Sequence, residues 1–275
     1  MNEEKKIKEK YFDDTTYLSC LNIDQKKLNN IIDILNSIEQ YGDENKGPDL
    51  VSKSNNKIYG IEHFEFDSSK NDRKGSRYKQ QIGIIDNSMN KEIRYKKNVH
   101  NLSVLNLNQN IETYVNNYKV VFNNHYYKIP RYTKYLNKDF PNIDKEIWFF
   151  IEDITPFGNH YLDNNCNPQL FHPMLSIELI ELLELSPALN GIFFATNSFE
   201  NAKIIFTYFN EKKERNLLKK ICEKENVKNL LIQNPLCSSN LIKIDKLESK
   251  QHEWLKENCW FIYWSINRRS CSWRI

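Results

Sequence analysis

Two carboxylates, Asp49 and Glu62, stand thirteen residues apart in the stretch GPDLVSKSNNKIYGIEHFEFD (47–67), and their setting gives them chemistry. Pro48 and Asp49 open a short apolar run, Ser54-Asn55-Asn56 reads as a turn, and a second run carries Glu62. If the two runs pair as a hairpin, Asp49 and Glu62 converge on one hard divalent cation. Mg²⁺ prefers oxygen ligands and takes only one or two carboxylates from protein. A segment rich in Lys and Arg follows directly. Carboxylates beside a basic surface point to phosphodiester chemistry.

Alternation along the second strand refines this. Ile58, Gly60, Glu62, Phe64 and Phe66 share one face, and Tyr59, Ile61, His63, Glu65 and Asp67 share the other. Glu62 therefore sits on the more apolar face, where burial raises its pKa unless a metal or a cation compensates. Three readings stay open. Glu62 joins Asp49 as a metal ligand; or Glu65 and Asp67 are ligands with His63 nearby; or Glu62 is a hydrogen-bonded buried acid without metal. A β-bulge would rephase the stripe.

The order helix, Pro-Asp strand, Gly-Ile-Glu strand, carried by Pro48, Asp49, Gly60, Ile61 and Glu62, resembles the PD-(D/E)XK nuclease superfamily. It is most similar to divergent members whose second strand reads Gly-Ile-Glu-x-Thr. The resemblance is confined to residues 39–67 of a 275-residue chain. It implies a restriction-endonuclease-like core, Mg²⁺ or Mn²⁺ held by Asp49 and Glu62, and help from a Glu in the preceding helix, here Glu39. It also implies cleavage of nucleic acid, DNA ahead of RNA, in bacterial defence or a mobile element. Phe64 departs from the pattern: it stands where the catalytic Lys belongs and cannot polarise water. Lys70, eight residues after Glu62, is the nearest replacement, with Gln80 and Gln81 behind it. The alternative is a nuclease-like fold without catalysis that binds nucleic acid or a protein partner. A homodimer is the other assembly to consider.

Between Lys70 and Lys97 nine cations face three acids, a local charge of +6 against +3 for the whole chain. Arg73, Lys74, Arg77 and Lys79 form its densest part and are the candidate contacts to phosphates, each neutralised phosphate adding salt-dependent affinity. A second stretch, HYYKIPRYTKYLNK (125–138), interleaves four Tyr with Lys128, Arg131, Lys134 and Lys138. Such interleaving suits unpaired bases and their backbone, but the spacing fits a helix packed on a core better. The segment from His160 to His172, with Cys166, Asp163 and Cys237, lacks the tight ligand pairs of structural zinc, and His172 before Pro173 reads as a helix cap. No GxxxxGK[ST], GxSxG or GxGxxG pattern occurs, against the common NTPase, hydrolase and dinucleotide-binding classes.

The elements that must hold these residues are legible from periodicity. Leu28, Ile31, Ile32, Leu35 and Ile38 predict a helix over 24–40, followed by strands at 49–52 and 58–67. Residues 68–103 read as a basic insertion with a strand at 81–85, and 108–124 as a helix. The runs at 147–154, 191–196 and 202–209 are strands, with a helix at 172–185. Continuous apolar runs such as Trp148–Ile151 suit strands covered on both faces. The fold class is therefore α/β, a mixed central sheet flanked by helices. Residues 1–210 would form the core, with 211–275 as a helical and strand appendage.

Composition bounds the rest. With 40% apolar residues, 15 Phe, 15 Tyr and 5 Trp, the chain has material for a large core and is not a disordered protein. The charged opening MNEEKKIKEK is no secretory signal, and no window approaches 18 apolar residues, so no membrane span is expected. Six scattered cysteines without a CxxC pair read as reduced thiols, which favours a cytoplasmic protein.

Overall fold

The computed structural model describes residues 3–11, 16–20, 25–41, 47–71, 75–76, 106–155, 159–163, 167–197, 203–225, 227 and 229–233. In chain order these form α1 (Glu3–Tyr11), β1 (Thr16–Cys20), α2 (Gln25–Asn36), β2 (Glu39–Gln40), β3 (Leu50–Ser54), β4 (Lys57–Phe66), β5 (Lys70–Asn71), β6 (Gly75–Ser76) and β7 (Asn106–Asn110). There follow α3 (Ile111–Tyr126), α4 (Ile129–Asp139), β8 (Asp144–Asp153), β9 (Asn159–Leu162), β10 (Pro168–Phe171) and a 3-10 turn (Pro173–Leu175). The last elements are α5 (Ile177–Glu184), β11 (Gly191–Asn197), β12 (Lys203–Phe209), α6 (Lys212–Glu225) and β13 (Asn229–Gln233).

The hairpin expected at the candidate site forms. Asn55 and Asn56 take φ of 50° and 59°, the paired left-handed conformation of a tight turn that Asn tolerates well. The turn sets the register of β3 on β4, with Leu50 opposite Ile61 and Val51 opposite Gly60. β4 then runs parallel to β8 over ten residue pairs, from Lys57–Asp144 to Phe66–Asp153. The result is a mixed seven-stranded sheet, β1-β12-β11-β8-β4-β3-β2. A smaller four-stranded sheet, β10-β9-β13-β7, accompanies it.

Both faces of the central sheet are covered, as the unbroken apolar runs require. On one face α1 and α2 bury Ile7, Tyr11, Ile31, Ile34 and Leu35 against Leu50, Tyr59, Ile61, Trp148, Phe150 and Phe193. On the other, α3, α4, α5 and α6 pack on Val51, Ile58, Phe64, Phe66, Phe149, Ile151 and Phe194. Odd and even positions of β4 thus part between the faces, and no bulge rephases them. Among the described residues, no helix is long and apolar enough to cross a membrane.

Several boundaries differ from expectation for local reasons. The helix predicted to 40 stops at Asn36. The Ser37 hydroxyl turns back to the Asp33 carbonyl (2.7 Å), and Glu39 and Gln40 become a short strand paired with β3. The 108–124 helix starts later, at Ile111, because the Asn110 side chain caps it by accepting from the Glu112 N–H (2.8 Å). His172 makes no side-chain cap bond; it is half-buried, its ring 4.5 Å from that of Phe206. The strand expected at 81–85 and everything after 233 lie outside the described residues.

Gly60 controls how closely α4 approaches the sheet. A Cβ there would come within 2.6 Å of Leu136 Cδ1, 3.1 Å of Pro48 Cγ and 3.2 Å of Ile147 Cδ1. Leu136 is fully buried and has little room to yield. Gly60→Ala should therefore cost about 1–3 kcal/mol in urea denaturation, the usual range for an overpacked core. Adding Leu136→Ala should recover part of that loss, less than the sum of the two single effects. Strict additivity would show that Gly60 and Leu136 do not constrain one another.

Candidate active site

The hairpin register brings Asp49 to Glu62. Leu50 pairs with Ile61, so Asp49, one residue earlier, falls opposite Glu62 and on the same face. The Asp49 backbone is held by β2, whose Gln40 side chain (3.1 Å) and Tyr41 N–H (3.0 Å) both donate to its carbonyl. Its carboxylate accepts the backbone N–H of His63 at 2.9 Å, closing the open end of the hairpin. The two carboxyl groups are near enough to hydrogen-bond each other.

Glu62 is 3% exposed. An anion so buried needs donors, and the corner between α3 and α4 supplies them. Glu62 Oε1 lies 2.7 Å from His125 Nδ1 and 3.2 Å from Lys128 Nζ, and the Tyr132 hydroxyl donates to the same carboxylate. A carboxylate only accepts, so His125 Nδ1 carries the hydrogen in its contact. Burial pushes the Glu62 pKa up, but the bonds from His125 and Tyr132 and the charge of Lys128 together outweigh it. The net shift is down, and Glu62 stays ionised.

Asp49 has the opposite balance. Burial and then the charge of Glu62 push it up to about 6, and the His63 N–H offsets only part of this. The pair thus holds one settled negative charge and one frustrated one.

His125, Lys128 and Tyr132 follow an i, i+3, i+7 spacing that puts them on one side of the chain despite the break between helices. Pro130 starts α4 in its first turn, where its missing N–H costs nothing. Phe64 lies flat beneath the imidazole of His125, ring centroids 4.0 Å apart and planes 12° apart. The residue in the place of the expected lysine is a platform for a histidine. Sequence reasoning missed all three donors. The stretch 125–138 read as packing, and the signal that would have found them is that spacing of polar groups.

Of the other expected residues, Glu39 is exposed in β2, beyond the end of its helix. Lys70 lies in β5, with its side chain outside what the structure describes. Arg73, Lys74, Arg77 and Lys79 lie outside the described residues, as do Gln80, Gln81, Cys166 and Cys237. The odd face of β4 does not gather. His63 turns to Glu152 (3.3 Å), which also binds Lys10 of α1, while Asp67 accepts from the Ser69 N–H (2.9 Å) and hydroxyl (2.8 Å). Among the described residues, no group of three or more His, Cys, Asp or Glu side chains is arranged to hold a metal.

A further buried acid, Asp153, ends β8. It accepts from the Thr155 N–H (2.9 Å), Asn159 Nδ2 (3.2 Å) and Thr196 Oγ1 (3.4 Å). Burial raises it to about 7 in spite of these neutral donors.

Comparison with protein-family models, with curated proteins and with solved structures gives no match. The geometry therefore carries the functional argument alone.

The Asp49 shift has a measurable consequence. The folded chain keeps a proton on Asp49 up to about pH 6, whereas the unfolded chain releases it near the ordinary aspartate value of 3.8. Between these values the native state binds more protons, so this contribution makes stability fall as pH rises. Asp49→Asn removes it and also places a donor beside Glu62. The variant should gain on the wild type across that window, reaching about 1 kcal/mol at pH 7.5 once partial solvent exposure is discounted. Urea denaturation at pH 4 and pH 7.5 tests this, and an equal difference at both pH values would refute the like-charge pairing.

Proposed function

We propose that the protein hydrolyses phosphodiester bonds in nucleic acid, DNA ahead of RNA, using Mg²⁺ or Mn²⁺. The observation that carries this reading is the Asp49–Glu62 pair, two carboxyl groups in contact on one hairpin with the Lys128 ammonium at the same carboxylate. The order α2, β3, β4 around Pro48-Asp49 and Gly60-Ile61-Glu62 agrees with a divergent PD-(D/E)XK nuclease, and the mixed sheet is compatible with a restriction-endonuclease-like core. A cytoplasmic enzyme of bacterial defence or of a mobile element would suit it, by analogy with that superfamily.

The residues fit a hard cation. Two adjacent carboxylates, one of them driven toward protonation by the other's charge, are what a divalent ion relieves, and a two-carboxylate donor set is usual for Mg²⁺. Asp49 and Glu62 would hold it, and a bound ion supplies polarisation of the phosphate and a lowered pKa for the attacking water. The chain's own residues do the remainder. Lys128 offsets negative charge building on the phosphate, a role that Phe64 cannot fill and for which Lys70 was the nearest candidate in sequence. His125, fixed by Phe64 and Glu62, keeps the carboxylate oriented. Tyr132, whose hydroxyl pKa is raised by burial and by Glu62, stays a neutral donor. Ion binding competes with the proton on Asp49, so activity should rise with pH through about 6.

A second reading has one observation in its favour. Glu62 already has three donors, as a purely structural acid would. In that case the fold is a binding module without catalysis.

Plasmid, single-stranded DNA and RNA incubated with the purified protein in Mn²⁺, and then in EDTA, separate the two. The enzyme should cleave at least one substrate, stop in EDTA, and lose about a hundredfold or more in kcat in Asp49→Asn, Glu62→Gln and Lys128→Met while keeping most of its affinity. Cleavage that survives EDTA, or no cleavage of any substrate, would defeat the nuclease reading.

A further inference from the structure

We propose that the outer face of α4, together with Tyr127, is a seat for single-stranded nucleic acid that leads a strand into the Asp49–Glu62 site. This deepens the nuclease reading and rests on it for the strand's destination. At 100° per residue, α4 turns Ile129, Tyr132 and Leu136 inward. Arg131, Lys134 and Lys138 fall within an arc of about 60° on the exposed side, spanning roughly 10 Å of helix. Among the described residues, no carboxylate pairs with any of the three. The one acid on the helix, Asp139, accepts the Tyr41 hydroxyl at 2.7 Å. The stripe continues into Lys128, one residue before the helix, whose ammonium reaches Glu62. Three cations without a carboxylate partner among the described residues thus lead to Lys128, the one that meets Glu62.

Tyr127 supplies what a purely electrostatic face lacks. It is 78% exposed at the helix corner, immediately before Lys128. Its ring is braced edge-on by Tyr126 at 6.5 Å, and Tyr126 in turn stacks on buried Phe122 at 6.0 Å. A held aromatic face beside a line of cations suits an unpaired base and its backbone, since bases stacked within a duplex do not offer their faces. A single exposed tyrosine or a single basic stripe is ordinary. Here both flank Lys128 in the chain, whose ammonium reaches Glu62.

Binding measured in EDTA tests this apart from cleavage. Fluorescence anisotropy of the full chain with labelled single-stranded DNA, single-stranded RNA and the matching duplex, over a salt series, should show a single strand bound more tightly than the duplex. Arg131→Gln/Lys134→Gln/Lys138→Gln should flatten the slope of log affinity against log salt by about 2, three contacts at roughly 0.7 each. Tyr127→Ala should weaken single-strand binding about tenfold with its slope intact and leave duplex binding unchanged, while Tyr127→Phe should behave as wild type. An unchanged slope in the triple variant, an unaffected Tyr127→Ala, or equal affinity for duplex and single strand would overturn the proposal. So would no binding to any nucleic acid. Absent cleavage with these binding results would remove the nuclease reading and leave the seat standing.

Discussion

The need to satisfy one buried anion organises the face of the sheet on which the site lies. An ionised carboxylate sealed under a helical layer costs several kcal/mol unless donors replace its lost water. Glu62 sits mid-strand in β4, so those donors have to come from above the sheet, and the α3–α4 corner brings three of them. The corner can descend that far because Gly60, two residues earlier on the same face, leaves space for Leu136. Below it, Phe64 fixes the plane of the His125 ring. Turn, glycine, aromatic platform and helix break serve a single contact set. Disturbing any one of them shifts the others.

Four acids in and beside the central sheet show how donors set against burial decide charge. Glu62 and Glu152 are both buried and both shifted down, Glu152 to about 2, because their donors outweigh burial: His125, Tyr132 and the charge of Lys128 for one, His63 and Lys10 for the other. Asp153 has as many hydrogen bonds, but all come from neutral groups, and it rises to about 7. Asp49 has a single backbone donor and a like charge for a neighbour. His63 joins the two faces of the sheet. Its N–H holds Asp49, while its side chain meets Glu152 and, through it, α1. The N-terminal helix is thereby linked to the carboxylate pair by one strand residue.

Much of this was legible in the residues, and what was not has physical reasons. Period-two alternation with two asparagines fixed the β3–β4 hairpin, and that alternation alone put Glu62 on the apolar face. The unbroken runs of β8, β11 and β12 declared strands buried on both sides. Helix ends were less legible, because a serine bonding back to the chain or an asparagine cap competes with apolar periodicity that continues beyond it. Glu39 was assigned to a helix for that reason and belongs to a strand. The three donors to Glu62 were hidden by distance. They lie more than sixty residues downstream, across a proline-started helix, in a run whose tyrosines point partly inward for packing and partly outward. Tyr132 and Tyr127 differ by five positions and have opposite surroundings, which composition cannot separate.

Phe64 gains a physical reason from the same geometry. Its position shares the face of Glu62 two residues on and is nearly sealed beneath His125. An ammonium there would be desolvated, with its only carboxylate already engaged, and burial would drive it toward the neutral form. Lys128 reaches that carboxylate from a corner that leaves its side chain 39% exposed, so its charge keeps water. With the cation at the helix corner, the strand position is free for an aromatic ring, and that ring is what holds the histidine. Phe64 and the His125–Lys128 pair are then one arrangement spread over two elements.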